Sequence, residues 1–91
     1  MERAERTVRL NNKNGLHARP ATLFVETANR FRADVVVTKE GQEVNGKSIM
    51  GIMVLGAEHG TELSIRTEGP DADEAMKALV RLVESGFGEQ T

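Results

Sequence analysis

Asn14-Gly15-Leu16-His17-Ala18-Arg19-Pro20-Ala21-Thr22 is where the chain changes its repeat. Before this stretch, Thr7 to Leu10 alternates, with Val8 and Leu10 on one face, as a half-buried strand does. After it, Ala21, Phe24, Val25, Ala28 and Phe31 recur at the spacing of an amphipathic helix. The intervening Asn11-Asn12-Lys13-Asn14-Gly15 has the composition of a turn. Pro20 fits the first helical turn, where an N–H has no intrahelical partner. The expectation is a strand, a glycine turn and a helix beginning at Ala18, with His17 at the helix N-terminus. Unpaired backbone N–H groups and the helix dipole favour an anion at that place.

Outward from there, Ala33 to Thr38 is rich in β-branched residues and predicts a strand with Ala33, Val35 and Val37 on one face. Lys39 to Gln42 predicts a hairpin turn and Gln42 to Val44 a short returning strand. Ser48 stands in N-cap position before Ile49-Met50-Gly51-Ile52-Met53-Val54-Leu55, a short helix with Ile52 and Leu55 inward and Gly56 as its stop. Thr61 to Glu68 alternates with Leu63 and Ile65 inward. Asp71 and Glu74 have capping-box spacing before a last helix whose stripe is Ala72, Ala75, Met76, Leu79 and Val83. Gly86 and Gly88 end it, and a polar tail follows. The order β-α-β-β-α-β-α predicts a single α+β domain over residues 1–91, one sheet with helices over one face.

Composition excludes several classes. The 91 residues carry no cysteine, which removes disulfide, thiolate and Cys-based zinc chemistry. No apolar run approaches the ~20 residues of a membrane span, and the charged Met1 to Arg6 is not expected to be a signal peptide. A net charge of −2 and only three aromatic residues, all Phe, argue against a nucleic-acid binder. His17 and His59, two lone histidines, do not make a metal site, and no cofactor is expected.

Three constellations carry chemistry. At His17, the helix end favours an uncharged, nucleophilic imidazole, and the Arg19 guanidinium can pair with a phosphoryl oxygen. Attack of the ring on phosphorus gives a covalent phosphoramidate. The plain alternative is a capping or solvated histidine. Ser48 is read first as an N-cap and second as a site where phosphate is locally welcome. No Asp or second His sits at triad-like spacing around it. Gly41-Gln42-Glu43-Val44-Asn45-Gly46-Lys47-Ser48 matches G-x-x-x-x-G-K-[ST] letter for letter. We reject a P-loop because the motif encloses a strand, follows a hairpin and precedes a barely two-turn helix. Ile49, Met50 and Met53 cannot all be covered by one sheet, so part of this set is expected on the surface. Leu23 lies off the apolar stripe of the first predicted helix, and His59, in a Glu-His-Gly turn, is given no role.

Gly15 to Thr22 together with Lys47-Ser48-Ile49-Met50-Gly51-Ile52-Met53 resembles the HPr family, the histidine-containing phosphocarriers of the bacterial phosphoenolpyruvate-dependent phosphotransferase system. The similarity runs from Val8 to Phe87. It implies an open-faced β-sandwich, a four-stranded antiparallel sheet of order 1-4-2-3 with three helices on one side. It implies that His17 receives phosphoryl on Nδ1 from enzyme I and passes it to enzyme IIA domains, assisted by Arg19. It implies regulation at Ser48 by HPr kinase/phosphorylase, and a docking surface of Leu16, Leu23, Lys47, Ile49, Met50 and Met53. A cytoplasmic monomer is expected. The ending Glu84-Ser85-Gly86-Phe87-Gly88 is also similar to the nitrogen-related HPr paralogue, whose relay regulates rather than feeding sugar uptake, so both pathways stay open here. A non-catalytic interaction module, with His17 and Ser48 as plain caps, is the alternative from another class.

Overall fold

The computed structural model describes residues 2–89. Along the chain run β1 (Arg3–Arg9), α1 (Ala18–Ala28), β2 (Asp34–Lys39), β3 (Gln42–Asn45), α2 (Ile49–Val54), β4 (Glu62–Glu68) and α3 (Ala72–Glu84), then a 3-10 turn over Gly86–Gly88. The strands form one antiparallel sheet in the order β1-β4-β2-β3. This is the open-faced sandwich that the resemblance implies.

Register explains why only one face is covered. Val8 lies opposite Leu63, Ile65 opposite Val37, and Val37 opposite Val44, so these side chains share a face. Phe24 of α1, Ile52 of α2 and Leu79 and Val83 of α3 are fully buried in the cluster that includes them. The other face carries Arg3, Glu68 and Asp34 in one row and Glu5 and Arg66 in the next, and it stays in water. Arg66 adds a cross-strand ion pair to Glu43 at 3.6 Å, and Arg9 one to Glu62 at 2.7 Å.

Some expectations change. β1 begins at Arg3, four residues before the alternation becomes visible, because its first half pairs with β4 while exposing most of its side chains. α1 ends at Ala28, so Phe31 lies beyond the helix and packs on a second small cluster of Ala33, Ala72 and Ala75. Asp71 does not close a capping box. Its side chain makes no bond to α3 and instead accepts from the backbone N–H groups of Arg32 and Ala33 at 2.9 and 2.8 Å. The carboxylate therefore ties the start of α3 to the chain entering β2. Those bonds, that from Arg32 first, hold its pKa below the usual value against the opposing effect of desolvation.

Gly41 to Ser48 is hairpin turn, β3 and a further turn, with no phosphate cradle. Gly46 serves packing. A Cβ there would stand 2.4 Å from Val35 Cγ1, so the backbone can pass the core of β2 only without one.

Candidate functional site

The loop between β1 and α1 is fixed from below. Gly15 N–H donates to Asn12 O at 3.2 Å, and Leu16 N–H donates to Ala57 O at 2.9 Å. The Asn12 side chain is fully buried, and its Nδ2 donates to Gly15 O at 2.8 Å. Gly15 has φ of +63° and lies against Ala57 and Glu58 so closely that a Cβ would meet Ala57 O at 2.4 Å. Leu16 is 5% exposed and belongs to the core. That corrects its expected place on a docking surface, since its side chain anchors the loop.

His17 is the N-cap residue of α1, with extended backbone (φ −78°, ψ −172°), and its carbonyl accepts from Ala21 N–H at 2.9 Å. Its side chain makes no capping bond. The imidazole is therefore not consumed by the helix, although it sits where the N–H groups of Ala18 and Arg19 have no intrahelical acceptor. Pro20, buried in the first turn, has no N–H to offer. Arg19 is exposed, and among the described residues it makes no ion pair. The ring is half-exposed but lopsided. Nε2 is shielded from solvent and stands 3.1 Å from Glu89 Oε2, in ion-pair range, without a well-aligned hydrogen bond. No described residue hydrogen-bonds Nδ1, and it is not shielded as Nε2 is.

Glu89 was not legible as part of this site. α3 ends at Glu84 with Ser85 as its C-cap, and Gly86, Phe87 and Gly88 take φ of +66°, +57° and +70°. That run of left-handed residues turns the chain back over the Asn11–Asn12 loop, with Phe87 buried as its anchor. Asn11 Nδ2 donates to Glu84 O at 3.0 Å, and Asn12 Nδ2 donates to Glu89 Oε1 at the same distance. His59, exposed as expected, is not idle in packing: its Nδ1 donates to Asn12 O at 3.1 Å.

α2 packs beside α1 and runs antiparallel to it. Asn29, at the C-terminus of α1, donates through Nδ2 to Lys47 O at 3.3 Å, whereas Ala57, beyond α2, meets Leu16 at the N-terminus of α1. Ser48 is the N-cap of α2 as the sequence predicts, and its Oγ accepts from Gly51 N–H at 3.1 Å. Ser48 and His17 thus lie at opposite ends of α1, separated by roughly the length of that helix, about 16 Å at 1.5 Å per residue. Lys47 is partly buried, with Nζ donating to Phe31 O at 2.7 Å. Ile49, Met50 and Met53 are exposed, Met50 by 73%. Val54, 63% exposed and one turn from Met50, extends the apolar patch. It was missed because a continuous apolar run hides which face looks outward. Leu23 is half-buried, packed against the edge of the core.

No helix of the described residues is long and apolar enough to cross a membrane, and no group of three His, Cys, Asp or Glu among them could hold a metal ion. What remains at the N-terminus of α1 is an imidazole nitrogen with no hydrogen-bond partner among the described residues, two free amides and a guanidinium, a set suited to a phosphoryl group.

Comparison with known proteins agrees. Residues 4–85 match the family described as the PTS HPr component phosphorylation site. The phosphocarrier protein HPr of Neisseria meningitidis is 47% identical over 85 residues, covering 93% of this chain and 96% of its own. The HPr-like protein Crh of Halalkalibacterium halodurans is 48% identical over 80 residues, covering 88% and 95%. The crystal structure of an HPr from Thermoanaerobacter tengcongensis superposes with a TM-score of 0.94 at 52% identity, covering 97% of this chain and 99% of that one. Fold and sequence agree, and the chain belongs to the HPr family of phosphotransferase-system phosphocarriers.

Proposed function

We propose that His17 Nδ1 takes a phosphoryl group from the phosphohistidine of an enzyme I and passes it to a histidine of an enzyme IIA domain. The observation that carries this reading is the N-cap placement of an imidazole that does no capping. Attack by the Nδ1 lone pair forms one N–P bond while the donor's N–P bond breaks. Exchange between two imidazoles is close to balanced, so placement and charge compensation matter more than driving force. The Ala18 and Arg19 amides lie where they can receive two phosphoryl oxygens, and the Arg19 guanidinium can swing onto a third without a metal.

Partners dock on the exposed side of α2 and the adjoining edge of α1, where Ile49, Met50, Met53 and Val54 supply apolar contact and Leu23 its border. Such an interface is small and transient, as a relay requires. Lys47 contributes positive charge toward acidic partners even while its ammonium is bound to Phe31 O. Ser48 is the site for HPr kinase/phosphorylase, and its phosphate acts on this docking face. The protein works as a cytoplasmic monomer.

The test is incubation with phosphoenolpyruvate and a bacterial enzyme I. The expected product gains the mass of one phosphoryl group in an acid-labile, base-stable form, and His17→Ala gains none. A mass gain that persists in His17→Ala, or none in the native chain, overturns the reading. Transfer from the phosphorylated protein to a panel of enzyme IIA domains then separates sugar uptake from a regulatory relay.

A further inference from the structure

We infer that Glu89 is a positioning residue for the transfer: held by Asn12, its carboxylate keeps the ring proton of His17 on Nε2 and so leaves the Nδ1 lone pair for phosphorus. This deepens, and rests on, the reading of His17 as the phosphoryl acceptor.

The charge pattern selects the tautomer. Glu89 Oε2 is 3.1 Å from Nε2, and that nitrogen is closed to solvent. A carboxylate can only accept. An Nε2 lone pair facing it would be repelled, whereas an Nε2–H is attracted. In a neutral ring the second nitrogen then carries the lone pair. The N–H and the oxygen are not yet aligned, as is common in a resting site whose hydrogen bonds tighten during reaction.

The clamp on Glu89 is independent of His17. Asn12 Nδ2 donates both to Gly15 O and to Glu89 Oε1, at 2.8 and 3.0 Å. Both partners are acceptors, so the amide is oriented with its NH2 group toward them. Asn12 is fully buried, and the Glu89 side chain is 18% exposed. One rigid loop therefore holds the nucleophile through its backbone and the carboxylate through Asn12. Backbone strain supplies a second sign. Phe87, a residue with a Cβ, is kept at φ +57° between two left-handed glycines, and that turn brings Glu89 back to the loop. Glu89 lies outside the residues 4–85 matched by the family.

During transfer the Nδ1 lone pair becomes the new N–P bond and the donor imidazole recovers its own pair. The His17 ring keeps its Nε2 proton and acquires positive charge, which the Glu89 carboxylate offsets. On onward transfer the pair returns to Nδ1. No proton moves in either direction, so the carboxylate acts as an orienting group and a counter-charge, the part a buried Asp plays behind a catalytic histidine.

The experiment uses the full chain, ¹⁵N-labelled, with Glu89→Ala and Glu89→Gln. Glu89→Gln keeps the size of the side chain and removes its charge. In the wild type, ring ¹⁵N shifts of neutral His17 are expected to show an unprotonated Nδ1 and a protonated Nε2 whose N–H signal is protected from exchange. Both variants are expected to lose that protection, and Glu89→Gln, whose amide oxygen can still accept from Asn12 Nδ2, is expected to keep the wild-type melting temperature. Both should lower kcat for phosphorylation by enzyme I by roughly ten-fold or more, with KM for this carrier unchanged. A wild-type ring protonated on Nδ1 overturns the proposal. So does a Glu89→Ala protein that is phosphorylated at the wild-type rate or faster, or one altered only in KM. If the wild type takes no phosphoryl on His17, the relay reading itself fails, while the ring spectra still decide whether Glu89 orients the imidazole.

Discussion

At the scale of single residues, the site depends on a side chain that is missing. Gly15 combines φ of +63° with backbone atoms of Ala57 and Glu58 within 2.4 to 2.7 Å of where a Cβ would go. Backbone is not free to yield, so Gly15→Ala carries both the left-handed penalty and a clash, together about 2 kcal/mol or more. Gly60, at φ +86° with nothing near its missing Cβ, should lose only the conformational part on substitution by alanine. Urea melts of the two variants check the order. A Gly15→Ala protein no less stable than Gly60→Ala would show that the loop is not pinned to Ala57. Ser48 gives the second prediction. Ser48→Ala removes the bond to Gly51 N–H and should cost about 1 kcal/mol. Ser48→Asp keeps a capping oxygen and adds charge, so its melting temperature should stay near wild type while phosphorylation of His17 by enzyme I slows. The separation of roughly 16 Å places that effect on docking, which a raised KM would show. An unchanged rate would remove Ser48 from the docking face.

Elements were readable in proportion to how local their causes are. α1 and α3 announce themselves by period, and Ser48 caps α2 because a hydroxyl before an apolar run has one good use. The first half of β1 was hidden because Arg3, Glu5 and Arg6 have no apolar rhythm, and only pairing with β4 makes them a strand. The place of His17 at the helix N-terminus, on which its proposed role as nucleophile rests, was legible from nine consecutive residues. Its carboxylate neighbour was not, because Glu89 reaches it only through a left-handed turn that includes a non-glycine. Asp71 shows the same limit: its spacing to Glu74 is that of a capping box, yet its carboxylate accepts from the Arg32 and Ala33 amides and makes no capping bond. That joint can be tested by pH. With the Asp71 carboxyl held below its ordinary range in the folded protein, its contribution is present above the unfolded value of about 4 and is lost as pH falls through the folded value. Asp71→Asn should therefore be less stable than wild type at pH 7, and the gap should narrow toward pH 3. Urea midpoints at both pH values measure it, and a gap that widens on acidification would contradict the assignment.

For the molecule as a whole, one sheet face with three helices separates what holds the fold from the exposed face proposed to meet partners. Leu79 is fully buried between α3 and the sheet, and Met50 stands almost free on α2. A domain of this size has a total stability of roughly 5–15 kcal/mol. Leu79→Ala, leaving a cavity in the only large core among the described residues, should remove about 2–5 kcal/mol of it. That corresponds to several degrees of melting temperature per kcal/mol. Below its unfolding transition the variant still presents His17, Arg19 and α2 in place, so its rate of phosphorylation per folded molecule should match wild type. Met50→Ala should do the reverse, leaving stability within about 0.5 kcal/mol, as surface substitutions do, while weakening docking and lowering kcat/KM. Melting curves and phosphorylation rates on the same two preparations form a crossed test. If Leu79→Ala slows transfer in the folded state as much as Met50→Ala does, core and docking face are coupled, and the one-sided layering does not insulate the relay from the packing beneath it.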